Sequence, residues 1–97
     1  MPFVAQQPRP FTRAGIEALA QGQNGVYGIF KPNVWIYIGK GDIRARLLTH
    51  LTGNEASAIC IRNNGATSFV SEVTQNMDAR ETQLLTEIGT TCNQRIG

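Results

Sequence analysis

The chain has 97 residues, of which 41% are hydrophobic and 16% are charged. This length allows one domain with a single modest core, and the composition is that of a globular domain rather than a disordered or membrane protein. The net charge of +2 permits a polyanionic partner but does not require one. No apolar run approaches the roughly 18 residues of a membrane span, and the first residues lack the pattern of a secretory signal. We therefore predict an intracellular protein with no membrane partner.

The predicted elements alternate between short helices and short strands, each marked by local signals. Thr12 and Asp42 are good helix N-caps, and Gly53 is a stop signal. Two runs rich in β-branched and aromatic residues flank residues 31–33, which predicts a hairpin with a somewhat longer loop. In chain order, the elements are a helix over residues 12–21, strands 26–30 and 34–37, helices 42–53 and 55–62, strand 67–73 and helix 77–90.

This order has too few crossovers for a parallel sheet. We therefore expect an α+β fold with a small antiparallel or mixed sheet backed by helices, in one domain spanning residues 1–97. Residues 1–24 would form an N-terminal arm and a short helix ahead of this core.

The two cysteines, Cys60 and Cys92, are isolated from each other in the sequence. They lack CxxC spacing and His50 is the single histidine, so the counts exclude a Cys/His zinc cluster. Because free cysteines are often buried like small hydrophobic residues, two buried thiols are favoured over a disulfide.

Glu81 is the most informative residue of the last predicted helix. At about 100° per residue it lies within the apolar stripe that faces the core. An isolated buried carboxylate is costly, so it must be paired, protonated or bound to a cation. Two interpretations stay open: a carboxylate at the rim of the stripe paired with an arginine, or a metal ligand at the floor of a cleft.

Two further groups of residues could either form part of a functional site or have only a structural role. Arg46 and His50 lie four residues apart on one helix face, where such a pair either faces solvent or holds an anion. Tyr27 and Tyr37 lie one on each strand of the hairpin, where tyrosines ordinarily pack across strands. Glycines at positions such as Gly39 indicate a bulge or a close approach by a ligand or backbone.

Taken in order, these groups resemble the motifs of the GIY-YIG nuclease superfamily. The matching segments are Gly25-Val26-Tyr27, Tyr37-Ile38-Gly39, Arg46 with His50, Glu81-Thr82-Gln83-Leu84-Leu85, and Asn93. The resemblance covers residues 25–93. It implies a sheet of three antiparallel strands flanked by helices and hydrolysis of DNA phosphodiester bonds with one divalent metal.

The resemblance also implies roles for individual residues. Glu81 would be the protein carboxylate on Mg²⁺ or Mn²⁺, with water and phosphate oxygens completing the coordination. Tyr27 would be a general base if nearby positive charge lowers its pKa, or would only orient a metal-bound hydroxide. Arg46 would hold the scissile phosphate, and Tyr37 and His50 would position water or phosphate.

The remaining candidates concern substrate binding. Lys40 is either a phosphate contact or a solvated turn residue, and Arg44 is an alternative to Arg46 if the register shifts. Asn93 is a candidate substrate-binding residue, and the role expected for it is to tie the end of the C-terminal helix to the site rather than to do chemistry. The small net charge predicts weak binding to DNA, so specificity would come from a partner protein, from a homodimer or from recognition of an unusual DNA shape. The alternative function is a non-catalytic module on the same fold that binds nucleic acid or protein.

Overall fold

The computed structural model describes residues 3–93 of the chain. Within this range, the elements are β1 (Arg9–Pro10), α1 (Arg13–Glu17), β2 (Asn24–Lys31), β3 (Val34–Asp42), α2 (Ile43–Thr52), α3 (Ala56–Asn63), β4 (Ser68–Val73) and α4 (Met77–Glu87). The strands form one antiparallel sheet in the order β1-β4-β2-β3. The predicted α+β class and antiparallel sheet are confirmed, with a short fourth strand added. In this same range, no helix is long and apolar enough to span a bilayer.

The hairpin between β2 and β3 turns more tightly than the sequence predicts. Lys31 pairs with Val34, which leaves only Pro32 and Asn33 in the loop. Asn33 adopts a φ of 67°, in the left-handed region that asparagine tolerates better than most residues. The prediction of a longer loop is therefore wrong, because this asparagine lets the chain reverse within two residues.

The helices begin where the capping residues predict, whereas two helices end earlier than the sequence predicts. Side-chain oxygens of Thr12 and Asp42 accept hydrogen bonds from the backbone of α1 and α2, and Gly53 ends α2 as predicted. Helix α1 stops at Glu17 and α4 stops at Glu87, both earlier than expected. After α4, Ile88 adopts an extended conformation, which redirects the chain toward the edge of the sheet.

Both edges of the sheet are covered by nearby chain. At the β4 edge, the side-chain amide of Gln6 donates to the carbonyl of Ser71 at 2.8 Å and accepts from its N–H at 3.0 Å. Strand β1 pairs with the same edge, so the predicted N-terminal arm is partly a strand. At the β3 edge, the N–H of Cys92 donates to the carbonyl of Ile36 at 2.8 Å. These contacts satisfy backbone groups that an open edge would expose.

The sheet separates two apolar layers. One layer contains the inward side chains of α1, α2 and α3, and the other contains α4 and the N-terminal arm. The first comprises Phe11, Ile16, Tyr27, Ile29, Ile36, Ile43, Leu47, Ile61, Phe69 and Cys92, and the second comprises Phe3, Val26, Ile38, Val70, Leu84 and Ile88. Successive β2 residues alternate between the layers, as the pleat of a strand requires. Tyr27 therefore points toward α2.

Candidate active site

Tyr27 lies across the backbone of the neighbouring strand. It pairs with Gly39 in the sheet, and only 1% of its surface is exposed. A Cβ atom at position 39 would lie 2.5 Å from Cζ of Tyr27 and 2.9 Å from Cε2 of Tyr37. Glycine at position 39 is therefore required by the tyrosine rings beside it, whereas Gly25 of the first motif is required by the backbone of Glu72 on β4.

A buried hydrogen bond joins Tyr27 to His50 on α2. The Tyr27 hydroxyl and Nε2 of His50 are 2.7 Å apart, and the His50 side chain is fully buried. Burial lowers the pKa of His50 to about 4, with a further contribution from the charge of Arg46, so the ring is neutral at pH 7. The solvated-face interpretation of His50 is wrong, because α2 packs this side of the helix against the sheet.

The same environment keeps Tyr27 protonated. Burial raises the pKa of Tyr27 well above its usual value and Tyr37 adds to this effect, whereas a hydrogen bond from Arg46 and its charge oppose it. Burial outweighs the guanidinium, so the phenol is neutral at pH 7. Tyr27 could act as a general base only if nearby positive charge lowered its pKa. The protein side chains do not supply enough positive charge to do so.

Tyr37 is aimed at the site by a β-bulge. The pairing between β2 and β3 shifts after Ile29, so that Ile36 is an extra residue on β3. Ile36 and Tyr37 both pack on the α2 side of the sheet, as a bulge permits. The Tyr37 ring centroid lies 4.8 Å from that of His50 and 6.4 Å from that of Tyr27. The three rings thus form one cluster.

Arg46 lies at the border between this cluster and solvent. It is an exposed residue on α2, and its side chain interacts with the Tyr27 hydroxyl. Arg44, two residues earlier, instead lines a separate pocket with Gln21 and Asp42. The structure therefore brings Arg46 to the motif tyrosines and places Arg44 elsewhere.

Glu81 reaches the site from the opposite layer. It projects from α4 into a cleft of about 390 Å³ at the β3 edge, together with Tyr37 and Asn93. Its side chain is only 16% exposed, and Nζ of Lys40 lies 3.6 Å from Oε1. Lys40 also pairs with Asp78 on the first turn of α4. The partner of Glu81 is thus the lysine after the second motif, not the arginine that the rim interpretation expected.

Asn93 anchors the end of the described chain to β3. Its Oδ1 accepts from the N–H of Ile38 and its Nδ2 donates to the carbonyl of Ile38, both at 2.8 Å. Ile38 lies between Tyr37 and Gly39, so Asn93 fixes the backbone of the second motif. This geometry agrees with the tying role predicted for Asn93, and both polar ends of its amide are engaged.

The two cysteines are bonded to each other, so the prediction of free thiols is wrong. The disulfide joins Cys60 on α3 to Cys92, whose Cα atoms are 5.8 Å apart. The pairing arises because the segment after α4 folds back along the β3 edge and meets α3. Local sequence pattern carries no signal of this distant approach.

The cleft also contains residues that the sequence did not indicate. Glu55 and Ser57, at the start of α3, line the cleft together with Glu81. The charge of Glu55 acts on Tyr37 and Arg46, so this carboxylate lies near the cluster. Glu55 occupies the N-cap position of α3 without forming a capping hydrogen bond. Glutamate is not among the residues that usually cap a helix, and its occurrence at this position is the sequence signal that could have indicated Glu55.

The donor set at Glu81 fits a hard divalent cation. Among residues 3–93, no group of three or more His, Cys, Asp or Glu side chains could hold a metal ion. Two carboxylates, Glu55 and Glu81, line the cleft, and Mg²⁺ usually retains several waters and takes only one or two protein carboxylates. Glu81, alone or together with Glu55, could therefore hold such an ion.

The architecture and the motif cluster together define the class of the protein. The chain has a GIY-YIG-like fold, the fold of a nuclease superfamily, as the sequence resemblance predicts. A solved structure that it resembles is the GIY-YIG N-terminal endonuclease domain of UvrC from Thermotoga maritima, a tyrosine-to-phenylalanine mutant bound to its catalytic divalent cation. The TM-score is 0.68 at 26% sequence identity, over 82% of this chain and 96% of that chain. No protein-family model and no curated protein sequence matches the chain.

Proposed function

We propose that the protein is a divalent-metal-dependent endonuclease that hydrolyses DNA phosphodiester bonds in the Glu81 cleft. The observation that supports this most directly is the convergence of Tyr27, Tyr37, Arg46 and His50 in one cluster beside that cleft. These side chains come from three elements, β2, β3 and α2, and Glu81 comes from α4. A core does not need such a convergence of polar groups, whereas phosphoryl chemistry does.

Glu81 would hold the cation, Mg²⁺ or Mn²⁺, as the protein ligand. A cation bound there would polarise a phosphate oxygen and offset the charge that develops on it. The cation bound to the similar UvrC domain supports a divalent metal in this fold. Lys40, already beside Glu81, would contact a non-bridging phosphate oxygen of the substrate.

Tyr27 would orient the attacking water rather than deprotonate it. A neutral His50 can accept the Tyr27 proton in a hydrogen bond at Nε2, and movement of Arg46 toward a bound phosphate would free the phenol oxygen to accept from water. Because the pKa of Tyr27 is raised, the phenol keeps its proton in this arrangement. Tyr37 would hold the other side of the water or phosphate.

Arg46 would bind the scissile phosphate at the rim of the cleft. A guanidinium can donate two parallel hydrogen bonds to phosphate oxygens, which fixes orientation as well as charge. Its exposed position on α2 leaves it accessible to a polymer too large to enter the cleft. Arg44 would contact DNA only outside the cleft, because it lines the separate pocket near α1.

The affinity of the chain for DNA should be modest and salt-dependent. Nine basic residues oppose seven acidic residues, and several basic side chains are already in ion pairs. We therefore propose that specificity comes from a partner protein, from a second copy of the chain or from the shape of the DNA.

The direct test compares two glutamates of the same helix. Purified protein, Glu81→Gln and Glu87→Gln would be incubated with plasmid and with flapped and four-way DNA in Mg²⁺ or Mn²⁺. Cleavage should require the metal, persist in Glu87→Gln and be lost in Glu81→Gln. Equal cleavage by both variants would refute the proposal.

The alternative is a non-catalytic binding module on this fold. Calorimetric titration with Mn²⁺ in the absence of DNA separates the two functions. Heat that disappears in Glu81→Gln but not in Glu87→Gln supports the nuclease, because a module that only binds anionic DNA gains nothing from a carboxylate in its cleft.

A further inference from the structure

The wall of the active-site cleft is closed by a covalent bond. Cys60 and Cys92 form a disulfide, and both line the cleft that contains Glu81 and Tyr37. Cys60 belongs to α3, whereas Cys92 belongs to the segment that follows α4. The disulfide is thus a direct tie between two walls of the cleft.

The segment held by this disulfide positions the backbone on both sides of Tyr37. The N–H of Cys92 donates to the carbonyl of Ile36, and the amide of Asn93 bonds both backbone groups of Ile38. Tyr37 is the residue between these two anchor points. Release of this segment would therefore loosen a motif tyrosine without touching its side chain.

The disulfide is open to exchange chemistry from one side. Cys60 is half-buried and faces the cleft, whereas Cys92 is 4% exposed. Nδ2 of Asn64 lies 3.5 Å from Sγ of both cysteines. An amide donor so placed stabilises a thiolate on either sulfur, which favours its departure during exchange.

We propose that the Cys60–Cys92 pair is a thiol–disulfide exchange site whose redox state controls the active-site cleft. The effect on cleavage rests on the proposed nuclease function, whereas the effect on structure does not. The oxidised state fastens residues 92–93 to α3 and holds Tyr37 in place. The reduced state leaves that segment attached only by hydrogen bonds and by the packing of Cys92 in the core.

The exchange needs a dithiol reductant, whether a small molecule or a protein with a cysteine pair. Its thiolate attacks Sγ of Cys60, the disulfide breaks, and Cys92 leaves as a thiolate beside Asn64. The second thiol of the reductant then attacks its own sulfur in the mixed disulfide and releases Cys60. The reductant becomes a disulfide, and its two electrons and two protons end on the two cysteines.

The test uses the full chain with and without dithiothreitol. Alkylation and mass spectrometry would count free thiols, and hydrogen exchange would follow the amides of Ile38 and Cys92. On reduction, protection of these amides should fall while amides of β2 at the sheet centre stay protected, which shows that the fold persists. Cleavage should fall on the order of 10- to 100-fold, the scale of a 1 Å displacement of a catalytic group. The double variant Cys60→Ser/Cys92→Ser should behave like reduced protein, and dithiothreitol should not change its hydrogen exchange or its cleavage.

Two results would overturn the proposal. One is alkylation of both cysteines in native protein before any reductant is added. The other is unchanged exchange at Ile38 after complete reduction. If no DNA is cleaved in either state, the nuclease proposal fails, and hydrogen exchange still decides the redox proposal.

Discussion

The Tyr27 hydroxyl and Nε2 of His50 are 2.7 Å apart in a region where neither side chain reaches solvent. This pair connects β2 to α2 through the centre of the candidate site. His50 is thus both a core residue and a candidate site residue, so stability and the proposed function would depend on the same neutral imidazole.

The first prediction concerns pH and stability. The His50 ring titrates near 6.5 when unfolded but near 4 when folded, so between these values the unfolded chain binds more protons. Stability contributed by neutral His50 is present above pH 6.5 and is lost as pH falls toward 4. Urea unfolding should show a loss of about 2 kcal/mol from this group between pH 7.5 and 5. In His50→Gln this part of the pH dependence should be absent; an identical pH slope would contradict the assignment.

The second prediction concerns the glycine beneath the Tyr27 ring. Gly39→Ala places a methyl group 2.5 Å from Cζ of Tyr27, so the ring must move. We expect a destabilisation of about 1–3 kcal/mol, typical of overpacking, and reduced cleavage. Gly89→Ala is the matched control, because a Cβ there meets nothing within 4 Å. Thermal unfolding and cleavage assays would show whether the two variants differ; similar behaviour would argue against a required close approach.

The third prediction compares two amides at opposite edges of the sheet. Asn93→Ala and Gln6→Ala each remove a side chain that bonds both backbone groups of one strand residue. Each should cost about 1–3 kcal/mol, because strand groups lose their partners. Asn93→Ala should reduce cleavage more than Gln6→Ala, since Ile38 adjoins Tyr37 on β3 and the cleft, whereas Ser71 is linked to the site only through its pairing with Tyr27. Equal loss of cleavage in both variants would mean that Asn93 acts through stability alone.

The fourth prediction concerns the shape of the positively charged side chain at position 46. Arg46→Lys keeps the charge but removes the planar fork that can hold two phosphate oxygens. Cleavage should fall on the order of 100-fold, as for other losses of a transition-state donor. Arg13→Lys is the control, because Arg13 is exposed on α1 and pairs with Glu17. Steady-state kinetics with plasmid DNA would measure both; full activity of Arg46→Lys would exclude a bidentate role.

The sequence predicts well those features that depend on local pattern and motif order. The caps at Thr12 and Asp42 and the motif order from Tyr27 to Asn93 lead to the right elements and fold. The depth at which His50 is buried, the bulge at Ile36 and the cysteine pairing could not be predicted in the same way. Each depends on how segments that are distant in the sequence pack together. The periodicity of hydrophobic residues along a strand or a helix, about 2.0 or 3.6 residues, does not indicate such packing. The early end of α4 has the same origin, since residues after it pair with β3.

The segment that lies along β3 also limits how a second molecule can associate. Cys92 bonds the carbonyl of Ile36, Asn93 bonds both backbone groups of Ile38, and Thr91 donates to the carbonyl of Trp35, so these groups are not available to another chain. A partner or second copy therefore cannot extend the sheet along this part of β3. Within residues 3–93, an assembly at this part of β3 would have to use side-chain surfaces instead of backbone pairing.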